Sequence, residues 1–398
     1  MTIAGGYTHA ALATRNTEFY ADRIFDPATL ATIRPSLEPM ATPWLQVYAV
    51  ARERGLRLMT ADRVGCEGID PRNVLLVAYD WTPDAERLVA QGARRAALVS
   101  FEPPVIAWRL YYNLQRISAR FPHTFLFEGA RDRVSPATRF HPLFFPLPCP
   151  PPRAVGPPWS RRRFLAMINS NKRIPDGRDL ARWFDRPREV SVKRELAALT
   201  YRPIARDQYW ARLRAVQAFA ACDDFDLYGE GWQTRHPAVG RSLHATALRA
   251  YRGVVADKFN LLAGYRFALV FENTRFPGYI SEKLFHCFFA GCIPIYSGAP
   301  DVKRHVPPEA FIDARKFASC VELERYLRCL SEAAAQGYLD AAQAYLASED
   351  YQRFSADSFA RELVDAVMQV DQLADGNSGG PLPAGVGPRD TSRVEALS

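Results

Sequence analysis

Short apolar runs separated by polar segments mark the first third of the chain: Trp44 to Val50, Val74 to Tyr79 and Ala97 to Phe101. Each has the length of a strand, and Thr82 to Arg95, between the second and third, fits a crossover helix. The pattern predicts βαβ units and a parallel sheet. Prolines then crowd His141 to Pro158, removing N–H donors and restricting the residues before them, so an interdomain linker is predicted there. After it, Arg163 to Asn169 reads as a buried strand entering a polar turn at Ser170, Asn171 and Lys172. Asp207 to Cys222 has a helical pattern with Trp210, Val216 and Phe219 as core positions, and Phe225 to Tyr228 is a short strand running into Gly229.

The clearest pattern lies further on. Phe267 to Phe271 is continuously apolar, as expected of a parallel strand covered on both faces, and it delivers Glu272 and Asn273 to its carboxyl end. Ligands of open α/β sheets gather at such ends. Gly278 then marks a turn, Ser281 is placed to cap a helix over Glu282 to Ala290, and Gly291 to stop it. Ile293 to Tyr296 forms another strand, whose Pro294 argues for an edge or a strand beginning. Val321 to Leu330 and Ala333 to Ala347 read as amphipathic helices, and beyond Asp371 glycine and proline replace aromatics, predicting a flexible tail.

At 398 residues the chain suits about two domains. The expected division is 1–155, 156–348, a terminal helical segment 349–370 and the tail 371–398. Seven cysteines, an odd number without a Cys-x-x-Cys pair, argue against a disulfide framework; Cys287 and Cys292 read as small buried hydrophobes. No leader pattern and no membrane-length apolar run is found. A soluble, cytoplasmic protein is expected. The formal charge of +8 calls for anionic partners, but the arginines are scattered and no groove-reading element accompanies them, so nucleic acid is not the expected partner. An anionic small substrate or an acidic membrane surface accounts for the excess equally well.

A strand end carrying Glu272 and Asn273, a glycine turn and a helix opening with Ser281, Glu282 and Lys283 make an anion pocket, because free helix N–H groups and the lysine both favour phosphate. The ordinary alternative is a cap with solvated charges. Neither phosphate-loop nor dinucleotide glycine motif occurs in this context. The seven histidines form no ligand pair and no carboxylate cluster joins them, so no metal is expected and His286 reads as structural.

The run Phe267-Ala-Leu-Val-Phe-Glu-Asn-Thr-Arg-Phe-Pro-Gly-Tyr-Ile-Ser-Glu-Lys-Leu-Phe-His, continuing to Gly298, resembles the donor-binding signature of the alpha-1,3-fucosyltransferase family, glycosyltransferase family 10. Weaker likeness reaches back to Arg163, with an upstream island at Phe101 to Pro104. The resemblance implies an α/β GT-B fold of two Rossmann-like domains facing a cleft, with the acceptor side N-terminal and the nucleotide sugar C-terminal. It implies inverting, metal-independent transfer from GDP-fucose or another GDP-sugar to a hydroxyl of a carbohydrate or glycolipid acceptor, with no further cofactor and with peripheral contact at the inner face of a membrane. Glu102 resembles the family's general base, although Glu102-Pro103-Pro104 replaces Glu-Ser-Pro. Arg212 resembles the arginine that contacts the diphosphate, with Arg214 as the alternative, and Lys283 its partner. Glu282 is expected to meet a donor hydroxyl and Tyr279 to shape the pocket, with Glu272 and Asn273 at the strand end beside it. Tyr296-Ser297-Gly298 departs from the commoner Tyr-Trp-Gly, which weakens fucose more than a GDP-sugar. Trp108, Tyr111, Tyr112 and Arg116 are placed either to line an acceptor site or to pack an amphipathic helix.

Overall fold

The computed structural model describes residues 7–33, 38–148, 156–171, 200–201, 205–235 and 240–370. The expected tail beyond Asp371 and the turn residue Lys172 lie outside them. Six parallel strands form the first sheet: β1 His9–Thr14, β2 Arg57–Thr60, β3 Val74–Tyr79, β4 Arg94–Val99, β5 His123–Leu126 and β6 Arg139–Pro142, in the order β2-β1-β3-β4-β5-β6. Every residue of β3 is buried, as an apolar strand covered on both faces must be.

The run Trp44 to Val50, read as a strand, lies instead within the helix Glu38–Glu53. Trp44, Val47 and Ala51 are buried; their spacing of three and four is the helical period, which a short apolar run conceals. The strands of that region are β1 and β2, of which His9–Thr14 is half alanine and carries little β-branched signal.

A second parallel sheet combines β7 Arg163–Ile168, β9 Phe225–Tyr228, β10 Tyr265–Phe271, β12 Ile293–Ser297 and β13 Ile312–Asp313, ordered β13-β12-β10-β7-β9. The two-residue strands β8 Arg206–Asp207 and β11 Thr274–Arg275 pair antiparallel beside it. β12 is interior, yet β13 joins it only from Ile295 onwards. Pro294 therefore occupies a level where one flank has no ladder to feed, which is how an interior strand tolerates it.

Val216 and Phe219 of the helix Tyr209–Phe219 are buried as expected, whereas Trp210 is exposed. After β13 the chain returns to the first sheet. Phe359, in the helix Ala356–Met368, sets its ring against Trp44 and Phe101 at 6.0 and 5.3 Å, and it shares one hydrophobic core with the first sheet. The two α/β halves are thus strapped by the last helix, and the fold is GT-B, as the resemblance implied.

Candidate functional site

Each sheet reverses its strand order once. In the first, the chain moves from β1 outward to β2 and returns to β3 on the other side; in the second, it moves from β7 to β9 and returns to β10. Such reversals open a crevice at the carboxyl ends of the strands. Both crevices hold charged side chains.

In the second sheet, Arg212 lies across the opening between β7 and β10. Its guanidinium donates to the carbonyl of Ser170 at 3.2 Å and to those of Phe271 and Glu272 at 3.4 Å, and sits 5.0 Å from the centre of the Tyr209 ring. The side chain is 2% exposed. It therefore contributes positive charge from below the pocket floor while its N–H groups hold strand-end carbonyls together. Arg214 is exposed and its charge acts on Cys320, so between the two arginines it is Arg212 that stands at the crevice.

Glu272 continues β10, its N–H donating to the Ser297 carbonyl at 3.0 Å. Its carboxylate is wholly buried and accepts from the Ser281 N–H, the Ser281 hydroxyl and Lys283 Nζ at 2.8, 2.7 and 3.2 Å. The expected hydroxyl cap on the helix Glu282–Ala290 is absent, because the Ser281 hydroxyl turns to Glu272. Gly291 does end that helix in the left-handed region, at φ 65°.

Lys283 Nζ also donates to the Ser281 hydroxyl oxygen at 2.9 Å, and the side chain keeps 21% of its surface exposed. Burial disfavours its charge, but Glu272 and Glu282 outweigh that and raise its pKa. For Glu282, burial opposes the anion, yet Lys283, then His286 and Lys258, hold its pKa down at about 2. Both groups are charged at neutral pH. The result is an anchored cation at a helix N-terminus, where the helix field adds to it.

The loop after β10 reaches into the other half. Phe276 and Tyr279 belong to the core of the first sheet, with Phe276 against Tyr111 at 6.0 Å and Tyr279 against Phe127 at 5.0 Å. The Gly129 N–H donates to the Pro277 carbonyl at 3.0 Å. Gly278 has φ 77°, and a Cβ there would press on the Glu128 backbone. Only glycine suits that position. Asn273 Nδ2 lies 3.4 Å from the Tyr279 hydroxyl; that hydroxyl's pKa is raised by burial first, then by Glu102, Glu272 and Glu282.

Glu102 lies beyond the end of β4 in the first half, and its charge reaches Tyr279 as well as Tyr79 and Tyr111. Pro103 offers its carbonyl to the N–H groups of Ile106 and Ala107, each at 2.9 Å, so the proline substituted into the motif starts the turn that leads to the helix Trp108–Tyr112. Tyr111 is core and Tyr112 exposed, and Arg116 donates to Asn113 at 3.2 Å.

Sequence reasoning missed Arg15 and Asp80, which form a 2.6 Å ion pair at the crevice between β1 and β3. Asp80 has φ 60°, uncommon for a non-glycine residue. The strand-end position of Asp80, directly after Tyr79, was the available signal. Among the described residues no group of histidines, cysteines and carboxylates is arranged to hold a metal, and no helix is long and apolar enough to cross a membrane.

Comparison with known proteins agrees with this geometry. Residues 191–366 match the family described as glycosyltransferase family 10 (fucosyltransferase) C-term. An alpha-(1,4)-fucosyltransferase of Arabidopsis thaliana is 42% identical over 71 residues, 18% of each chain. The alpha-(1,3)-fucosyltransferase FucT of Helicobacter pylori is 37% identical over 76 residues, 19% of this chain and 16% of that one. These matches thus span less than a fifth of either relative. A solved glycosyltransferase from Rickettsia africae superposes with a TM-score of 0.50 at 8% identity, covering 92% of this chain and 99% of that one, a likeness of fold alone. The resemblance seen in the strand, turn and helix from Phe267 to Ala290 is borne out: that run lies within the residues that match the glycosyltransferase family 10 (fucosyltransferase) C-term model.

Proposed function

We propose that the protein is an inverting, metal-independent glycosyltransferase that transfers fucose from GDP-fucose to a hydroxyl of a glycan acceptor. The observation that carries this reading is Lys283, partly exposed, charged and fixed by Glu272 and Ser281 at a helix N-terminus. Lys283 would meet the diphosphate, with Arg212 adding charge from beneath. Glu282, held anionic, suits a donor hydroxyl, while Asn273 and Tyr279 shape the wall between the two halves.

In the reaction, an acceptor oxygen attacks C1 of the donor sugar from the face opposite GDP, and the C1–O bond to the β-phosphate breaks with its electron pair leaving on oxygen. Glu102 takes the acceptor hydroxyl proton, and Lys283 and Arg212 balance the charge gathering on GDP. Inversion follows from the single displacement. The reading carries with it a cytoplasmic location, with peripheral contact at a membrane's inner face where the acceptor is a glycolipid.

Calorimetry with GDP in the presence of a chelator tests the donor assignment. One GDP per chain is expected, and Lys283→Ala should weaken binding by about 2 to 5 kcal/mol. Binding of another nucleoside diphosphate in place of GDP would discard it. A second reading, another GDP-sugar as donor, is favoured by Ser297, whose hydroxyl takes a 3.1 Å hydrogen bond from Gln208 where a tryptophan is commoner in the family. A screen of GDP-sugars against glycan acceptors, read by product mass and anomeric configuration, separates the two.

A further inference from the structure

We propose a second anion site on the first α/β half, remote from the cleft, which takes a phosphoryl group. A hollow of about 490 Å³ opens at the amino edge of the first sheet, and four arginines line it: Arg94, Arg95, Arg120 and Arg139. Among the described residues that line it there is no carboxylate. Its size falls within the range of small-ligand pockets.

Three observations point to an anion. Arg95 Nε is enclosed without a hydrogen-bond partner among the described residues, a donor left for something they do not supply. Burial and the charge of Arg120 both disfavour the Arg95 cation, so like charges converge where a bound anion would relieve them. The apolar part of the wall, Phe121, Pro122 and Val370, offers the arginines no competing acceptor side chain. Planar guanidinium forks match phosphate oxygens in pairs, which favours phosphate over a lone carboxylate.

The place is separate from the donor crevice. Arg94 and Arg95 begin β4, whereas Glu102 follows its end; six residues of strand put about 20 Å between the two edges. Inorganic pyrophosphate is therefore the probe, added to protein already saturated with GDP so that the cleft is filled. Saturable binding is expected, weakened about tenfold or more by Arg95→Gln with Arg120→Gln while GDP affinity holds. Arg139→Gln, at an exposed position, gives the same reading without risk to the fold and should weaken binding in the same direction. No saturable pyrophosphate binding, or binding indifferent to these substitutions, overturns the site. Should GDP itself fail to bind, the donor reading falls, but the arginine dependence still decides this one. Flotation with phosphatidylglycerol vesicles identifies the source: vesicle binding displaced by pyrophosphate makes it a lipid headgroup, and pyrophosphate binding without vesicle binding makes it a soluble phosphorylated molecule.

Discussion

Ser281 donates twice to Glu272, by its hydroxyl at 2.7 Å and its backbone N–H at 2.8 Å, tying the start of one helix to the end of the strand before it. Lys283 completes the clasp on the same carboxylate. A carboxylate buried with three donors, one of them a cation, is stable only while all are present. Glu272→Gln removes the charge and turns an amide toward groups that need an acceptor. It should cost about 3 to 5 kcal/mol of unfolding free energy, read from urea denaturation midpoints. Ser281→Ala, which loses one hydrogen bond to a charged group, should cost about 1.5 to 3 kcal/mol; the reverse ranking would mean that Glu272 does not organise the turn.

Gly298 lies under the same carboxylate. A Cβ there would overlap the Tyr296 hydroxyl and the Cγ of Glu272, both of them buried. Gly298→Ala should therefore destabilise by about 1 to 3 kcal/mol through overpacking and weaken GDP binding by displacing the clasp. A variant with unchanged melting temperature and GDP affinity would show that the strand end yields freely.

Acid should weaken the fold before it titrates ordinary carboxylates. Burial, with the neighbouring charges of His141 and Arg139, lowers the His123 pKa from 6.5 to about 4, and burial foremost brings His286 to about 4 as well. A histidine whose folded pKa lies below its unfolded value takes up its proton more readily when unfolded. Its contribution is complete above pH 6.5 and is lost as pH falls from there toward 4, at about 1.4 kcal/mol for each tenfold loss of proton affinity. Glu282 acts in the same sense lower down, because its depressed pKa favours the folded state above 4.5 and loses that effect as pH falls toward 2. Melting temperatures taken from about pH 8 to about pH 4 should decline below 6.5, and His286→Gln should flatten that decline. A level profile down to 4.5 would contradict both assignments.

How legible this was from the chain depended on how local each cause is. The strand, glycine turn and helix from Phe267 to Gly291 were readable because apolar continuity, a left-handed glycine and the helical stop are written within a few residues. Ser281 was misread as a hydroxyl cap because its partner, nine residues back at Glu272, becomes a neighbour only when β10 and the helix fold together. Trp44 to Val50 failed for a related reason: seven residues are too few to separate periods of 2 and 3.6, and the burial that decides comes from Phe359, more than three hundred residues away. Arg15 and Asp80 left no motif at all. Their proximity is created by the reversal of strand order between β1 and β3, which is a property of topology.

Glu102 and Asp80 both stand beyond strand ends of the first sheet, and both charges reach Tyr79 and Tyr111, so the carboxylate that takes the acceptor proton must be separated from the one that does not. Asp80 is already committed to Arg15 at 2.6 Å. Glu102 also acts on Tyr279 of the opposing half. Positioned proton transfer contributes about 100-fold to 10,000-fold, and glutamine keeps the shape of Glu102 without the basicity. Once a productive donor and acceptor pair is found, Glu102→Gln should lower kcat by roughly two to four orders of magnitude while GDP affinity and melting temperature stay near those of the unaltered protein. Asp80→Asn should instead release Arg15 and change the acceptor KM more than kcat. The opposite pattern, with turnover surviving in Glu102→Gln and collapsing in Asp80→Asn, would transfer the role of base to Asp80 and make Pro103 the sign of a motif that no longer serves the reaction.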